Sequence, residues 1–139
     1  MTFFRTETQI EVPFYDLDPM NIVWHGNYIK YLEVARCDLL NKLNYNYLDM
    51  NNDGCFYPLA TMDLKFIKPA QFGQKLLVRT NLEEIEPCII MKYLILNAES
   101  NEKIFKAKSL QICVDINTGE SRYNAPERLI ERIKELKNV

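Results

Sequence analysis

Asp18, His25 and Gly26 stand close together ahead of an amphipathic stretch; Phe14–Arg36 is FYDLDPMNIVWHGNYIKYLEVAR. His25 is the only histidine of the chain. A carboxylate beside a helix N-terminus lies near backbone N–H groups without an intrahelical partner, and near the positive end of the helix dipole. Such a carboxylate can attack an acyl carbon or activate water. The same N–H groups can hold the oxyanion that forms on a carbonyl oxygen. A neutral imidazole can donate to that oxygen or orient the water. Gly26 either lets the backbone approach a bound group closely or simply relieves a turn, the turn being the reading unless Asp18 and His25 are functional. Glu33, two turns further on, is a candidate second carboxylate. A plainer reading fits these residues too. Asp-Pro is an ordinary turn pair, a lone histidine is often structural, and Glu33 can pair locally with Arg36 at i,i+3.

Other chemistries lack their residues. A Ser–His–Asp triad has only His25 to recruit, and no Gly-x-Ser-x-Gly elbow is present. Neither a GxGxxG nor a Walker loop occurs, and one histidine with four widely spaced cysteines suits no metal site. Cys37, Cys55, Cys88 and Cys113 are read as reduced thiols, mostly core filler, in a cytoplasmic protein. Lys and Arg total 17 against 19 Asp and Glu, which gives no ground for general nucleic-acid binding. No apolar run reaches membrane-spanning length, and the N-terminal residues do not resemble a secretory signal. Lys65, Lys68 and Lys75 flank one strand end, where they either meet phosphates or form a solvated face.

The elements that must position Asp18 and His25 follow from periodicity. The 139 residues fit one domain, 1–139. Residues 7–15 alternate as a half-buried strand, with Pro13 marking an edge or an end. Residues 16–26 form a loop. A helix starts near Asn27, with Asn27 as its N-cap, and continues through Tyr28, Ile29, Leu32, Ala35, Leu39, Leu40 and Leu43 at spacings of three and four. Residues 44–54 are loop or a ragged helix end. Strands follow at 59–67, 75–85, 88–96 and 105–116, and their short links favour antiparallel pairing of successive strands. The apolar run 88–96 fits a strand covered on both faces, within the chain or by a partner subunit. A short helix closes the chain at 126–137. One long helix on one sheet is an α+β domain.

The motif Asp16–Tyr28 resembles the signature of hotdog-fold proteins related to 4-hydroxybenzoyl-CoA thioesterase, in their bacterial short-chain acyl-CoA branch. Tyr31–Arg36 is similar to that family's central helix, and Asp63–Gln74 to its second strand and turn. The resemblance spans roughly residues 7–117. It implies an antiparallel sheet wrapped around a long central helix, and an acyl-CoA thioesterase with no cofactor, coenzyme A being part of the substrate. It places the catalytic aspartate on Asp18, as nucleophile or general base, and the assisting histidine on His25. It places the oxyanion site on the backbone around Trp24, Gly26 and Asn27. It also implies dimers with sites between subunits, many of them paired into tetramers.

Three departures stand out. Phe14 replaces a common tyrosine. Asn21 replaces a glycine, and asparagine tolerates positive φ. Glu83, Glu84 and Glu86 fill the loop where an aromatic-acyl specialist carries basic residues, so coenzyme A phosphates must find other cations. Lys65, Lys68, Arg79 and Lys106 are available. Two alternatives share the fold: a thioesterase acting on acyl groups of acyl carrier protein, and a non-catalytic acyl-binding or scaffold protein.

Overall fold

Apolar residues spaced by three and four after Gly26 produce one long helix, α1 (Asn27–Lys42), in the computed structural model, which describes residues 2–137. Tyr28, Tyr31, Leu32, Ala35, Leu39 and Leu40 form its buried face. The helix stops in a Schellman arrangement. Asn44 takes φ +62°, its N–H donates to Asn41 O (3.0 Å), and the Tyr45 N–H donates to Leu40 O (2.9 Å).

The strands are β1 (Phe4–Glu11), β2 (Cys55–Phe56), β3 (Leu59–Phe66), β4 (Lys75–Glu84), β5 (Cys88–Asn97), β6 (Lys103–Ile112) and β7 (Val114–Asp115). Five form one antiparallel sheet in the order β1-β4-β5-β6-β3. Alternating residues such as Leu76, Val78, Leu82, Met91, Ile95 and Phe105 are buried in the same core as α1. The α+β architecture is therefore the one expected, a long helix held against an antiparallel sheet.

Several details differ from the sequence expectation. β1 starts earlier and ends at Glu11; Pro13 follows the strand, and Phe14–Asp16 is a single 3-10 turn. Residues 44–54 contain a real helix, α2 (Tyr47–Asn52). The Asn46 side chain accepts from the Leu48 and Asp49 N–H groups, and the Asp49 carboxylate accepts from the Asn46 N–H. β3 pairs with β6 and not with β4, because both edges of β4 are taken by β1 and β5. The last long strand ends at Ile112, and β7 turns away to pair with β2. Nor is β5 covered on both faces within the chain: Lys92 is exposed, and Ile90 and Leu94 are only half-buried.

The closing helix, α3 (Glu127–Lys137), buries Leu129 and Ile133. Arg128 ties it to α2 and the following turn through Asp49 and Asp53, each at 3.4 Å. All four cysteines are free, and only Cys55 and Cys113 are buried. Burial, with Cys113 alongside, pushes the Cys55 thiol up to about 12, where it stays protonated and inert. No helix among the described residues is long and apolar enough to cross a membrane.

The small β2–β7 sheet is held by charge. Arg122 donates to Asp115 Oδ2 through Nε (3.1 Å) and Nη2 (2.5 Å), and the Asn117 and Thr118 N–H groups donate to Oδ1. These donors, Arg122 first, hold the Asp115 carboxyl at about 2, below its ordinary 3.8. A depressed carboxyl stabilises the fold above its unfolded value, and that contribution is lost as pH falls through the folded value. Thermal melting should therefore separate wild type from Asp115→Asn above pH 3.8, with the gap closing by about pH 2. A gap that persists undiminished at pH 2 contradicts this account.

Candidate active site

The chain ahead of α1 folds back on itself and rests on the helix N-terminus. Leu17 bridges Val23, the Asp18 N–H donates to Ile22 O (2.8 Å), and the Asn21 N–H donates to Asp18 O (3.0 Å). Asn21 sits at φ +64°, the left-handed region that asparagine tolerates, so the turn survives without glycine.

Asp16 anchors this loop. It is 2 % exposed and accepts from Lys30 Nζ (2.5 Å) and from the Tyr31 hydroxyl (2.7 Å). Its carbonyl accepts from the Trp24 N–H (3.0 Å) and from Asn27 Nδ2 (2.8 Å). Burial first, and Asp16 second, push the Tyr31 hydroxyl upward, so it remains a donor. Asn27 is thus the first residue of α1 and not its N-cap. Gly26 holds the cap position, and no side chain caps the helix.

Asp18 and His25 line the same pocket, about 280 Å3, with Met20, Ile22, Tyr28 and Phe66 among its other walls. One carboxylate oxygen of Asp18 accepts from the Met20 N–H (2.8 Å), which fixes the group; the other has no protein hydrogen bond among the described residues. The His25 ring lies 5.0 Å from the Trp24 ring, tilted by 47°, and its nitrogens have no protein partner among those residues. A Cβ on Gly26 would stand 2.2 Å from the Trp24 indole, so glycine leaves that ring its place.

The expected oxyanion donors are narrowed. The Trp24 N–H is spent on Asp16 O, and the Asn27 N–H on Trp24 O (2.9 Å). The N–H groups of His25 and Gly26 make no backbone hydrogen bond among the described residues. Both precede the positive end of α1. Glu33 is not a buried second carboxylate: its side chain is 42 % exposed, it is ion-paired with Arg36, and it does not line the pocket. Lys68 lines the pocket, but its ammonium is paired with Glu102. Arg79 is paired with Glu7 (3.2 Å). Lys65 lies on the opposite face of the sheet, in a separate groove. No cluster of three or more metal-ligating side chains occurs among the described residues.

The sequence reading takes Tyr28 as one residue of the apolar helix face and does not mark it as a pocket wall. Its ring stacks on Phe105 (4.7 Å, 4°) and meets Phe66 edge-on (5.5 Å), and its hydroxyl accepts from the Ala70 N–H (3.1 Å). The signal was its place in the first helical turn, three residues after His25.

A carboxylate with one free oxygen, an unpartnered imidazole and two open N–H donors beside an apolar pocket are the parts needed for acyl transfer to water. The chain matches the model of the thioesterase-like superfamily over residues 12–136. It is 33% identical to YneP of Bacillus subtilis (strain 168) over 111 residues, which cover 79% of this chain and 80% of that protein. It is also 33% identical to the acyl-CoA thioesterase YbgC of Helicobacter pylori (strain ATCC 700392 / 26695) over 78 residues, 56% of each chain. The solved structure of DHNA-CoA thioesterase from Staphylococcus aureus superposes with a TM-score of 0.81 at 27% identity, covering 96% of this chain and 93% of that one.

Proposed function

This chain belongs to the thioesterase-like superfamily, with its hotdog fold, and on that ground we propose that it hydrolyses acyl-CoA thioesters to a carboxylic acid and free coenzyme A. The observation that carries the reading is the meeting of Asp18 and His25 in one apolar pocket at the N-terminal end of α1. The acyl group lies against Tyr28, Phe66 and the aliphatic walls. Asp18 acts through its free carboxylate oxygen, either attacking the thioester carbon or taking a proton from the water that attacks it. The carbonyl oxygen becomes an oxyanion, held by the His25 and Gly26 N–H groups and the helix dipole. The C–S bond then breaks and the coenzyme A thiolate leaves. On the general-base route it takes up the proton that Asp18 removed from water. On the nucleophilic route it leaves behind an Asp18–acyl anhydride, which water hydrolyses to the carboxylic acid with return of the Asp18 carboxylate and release of a proton to the thiolate. His25 orients the water or donates to the developing charge.

A second copy of the chain fits this reading. β3 is an outermost strand, largely exposed, and can pair with its counterpart so that each pocket lies beside the other subunit.

His25→Ala should lower kcat for an acyl-CoA roughly 10²-fold, the scale of a positioned acid–base or orienting group. Thiol release at saturating ester measures it. An unchanged kcat would remove His25 from the mechanism.

A further inference from the structure

On the face of the sheet turned away from α1, four lysines share a groove of about 400 Å3: Lys65 on β3, Lys92 on β5, and Lys106 and Lys108 on β6. Register brings them together. Lys92 stands directly opposite Lys108, and Lys106 directly opposite Lys65. Like charges at directly opposed positions destabilise a sheet, so folding alone gives no reason for this arrangement. None of the four makes an ion pair or side-chain hydrogen bond among the described residues. Among the described residues Asp63, opposite Lys108, is the one carboxylate lining the groove, so three positive charges stay uncompensated there. Arg79 on the same sheet is already paired with Glu7, and Lys68 with Glu102. Lys75 and Lys103 of the sheet are also unpaired among the described residues, but each opens its strand outside the groove, so the groove is where four unpaired cations gather. A second copy laid face to face here would set lysine against lysine, whereas a polyanion relieves their repulsion.

We propose that this groove binds the phosphorylated nucleotide end of the coenzyme A thioester whose acyl end lies in the Asp18 pocket, a proposal that rests on the acyl-CoA reading. Charge matches, since that end carries a diphosphate and a 3′-phosphate. Reach matches as well. Lys65 and Phe66 are consecutive on β3 and point to opposite faces, so groove and pocket share one strand as their wall. The pantetheine arm is as long as roughly four extended residues, about 13 Å. One sheet with its side chains is about 10 Å thick. The arm can thus pass around the Phe66–Ile67 end of β3 and join the two.

The test is the double variant Lys92→Gln/Lys108→Gln, two surface changes remote from the Asp18 pocket. The readout is kcat/KM for an acyl-CoA relative to the same acyl group on pantetheine, which lacks the nucleotide. Removing a charged hydrogen bond costs about tenfold, so the preference for the coenzyme A ester should fall roughly 10²-fold, with the loss on KM. A preference equal to wild type overturns the proposal. Titration of wild type and variant with adenosine 3′,5′-bisphosphate provides an arm that needs no turnover. The affinity should fall by a similar factor, and equal affinities overturn the proposal. If neither ester is hydrolysed while bisphosphate binding still depends on Lys92 and Lys108, the nucleotide groove stands and the hydrolytic reading falls. If both esters turn over at an unchanged ratio, the hydrolytic reading stands and the groove falls.

Discussion

Asp18→Asn is expected to cut thiol release from an acyl-CoA roughly 10³-fold, within the range that positioned acid–base groups contribute. Asparagine keeps the shape of the side chain, and its amide oxygen can still accept the Met20 N–H that fixes Asp18 at 2.8 Å. The loop should hold its form, since its other anchors run through Asp16, Asn21 and Ala70. What disappears is the negative oxygen that attacks carbon or takes the proton of water. The measurement is kcat for wild type and variant, with melting temperature and sedimentation as controls. Retained turnover in a folded, correctly assembled variant would remove Asp18 from the chemistry.

Phe105→Ala is expected to destabilise the chain by about 3–5 kcal/mol, the usual cost of deleting a buried aromatic ring. Phe105 is fully buried, stacked on Tyr28 at 4.7 Å and edge-on to Phe66 at 5.1 Å. Deletion leaves a cavity between α1, β3 and β6 and removes the support of two pocket walls. Packed aromatic pairs add about 0.5–1.5 kcal/mol beyond their burial, so this site belongs at the upper part of the range. Denaturant unfolding followed by far-ultraviolet circular dichroism gives the difference. A loss under about 1 kcal/mol would mean that the ring triad is not the support described here.

Much of this was legible because local rules and tertiary structure agree. The spacing of Tyr28, Leu32, Ala35, Leu39 and Leu40 marks α1 because one helical face must be apolar to meet the sheet. Alternation marks β4 because Leu76, Val78, Thr80 and Leu82 face the core while their neighbours do not. Asn21 was legible as a tolerated left-handed residue. The helix α2 was missed although its signal was present: Asn46 and Asp49 form a capping box with aspartate where glutamate or glutamine is the usual partner. β2 was missed because two residues carry no period, and β7 was read as the end of the strand 105–116. Strand order was not legible, since pairing depends on which edges earlier strands have occupied.

The site shows the same division. Asp18 and His25 lie within one short loop, so their meeting in a pocket could be anticipated from sequence. The engagement of Trp24 and Asn27 could not, because it depends on where the Asp16 carbonyl points. The lysine groove was legible only in part: Lys65 and Lys106 stand out as available cations, Lys92 and Lys108 do not. Lys65, Lys92, Lys106 and Lys108 come from three strands and meet only through register. Likewise, Lys68 and Arg79 look free in sequence, yet Glu102 and Glu7 occupy them in the fold.

The most direct test of the central claim is release of free thiol by the wild-type chain from a panel of acyl-CoA esters, from short straight chains through long chains to aromatic esters, with the carboxylic acid product quantified alongside. The account predicts equal amounts of coenzyme A and acid, formed catalytically from at least one class of ester. Ester binding with no release of thiol from any member of the panel would contradict it, and would make the chain an acyl-binding protein on a thioesterase fold.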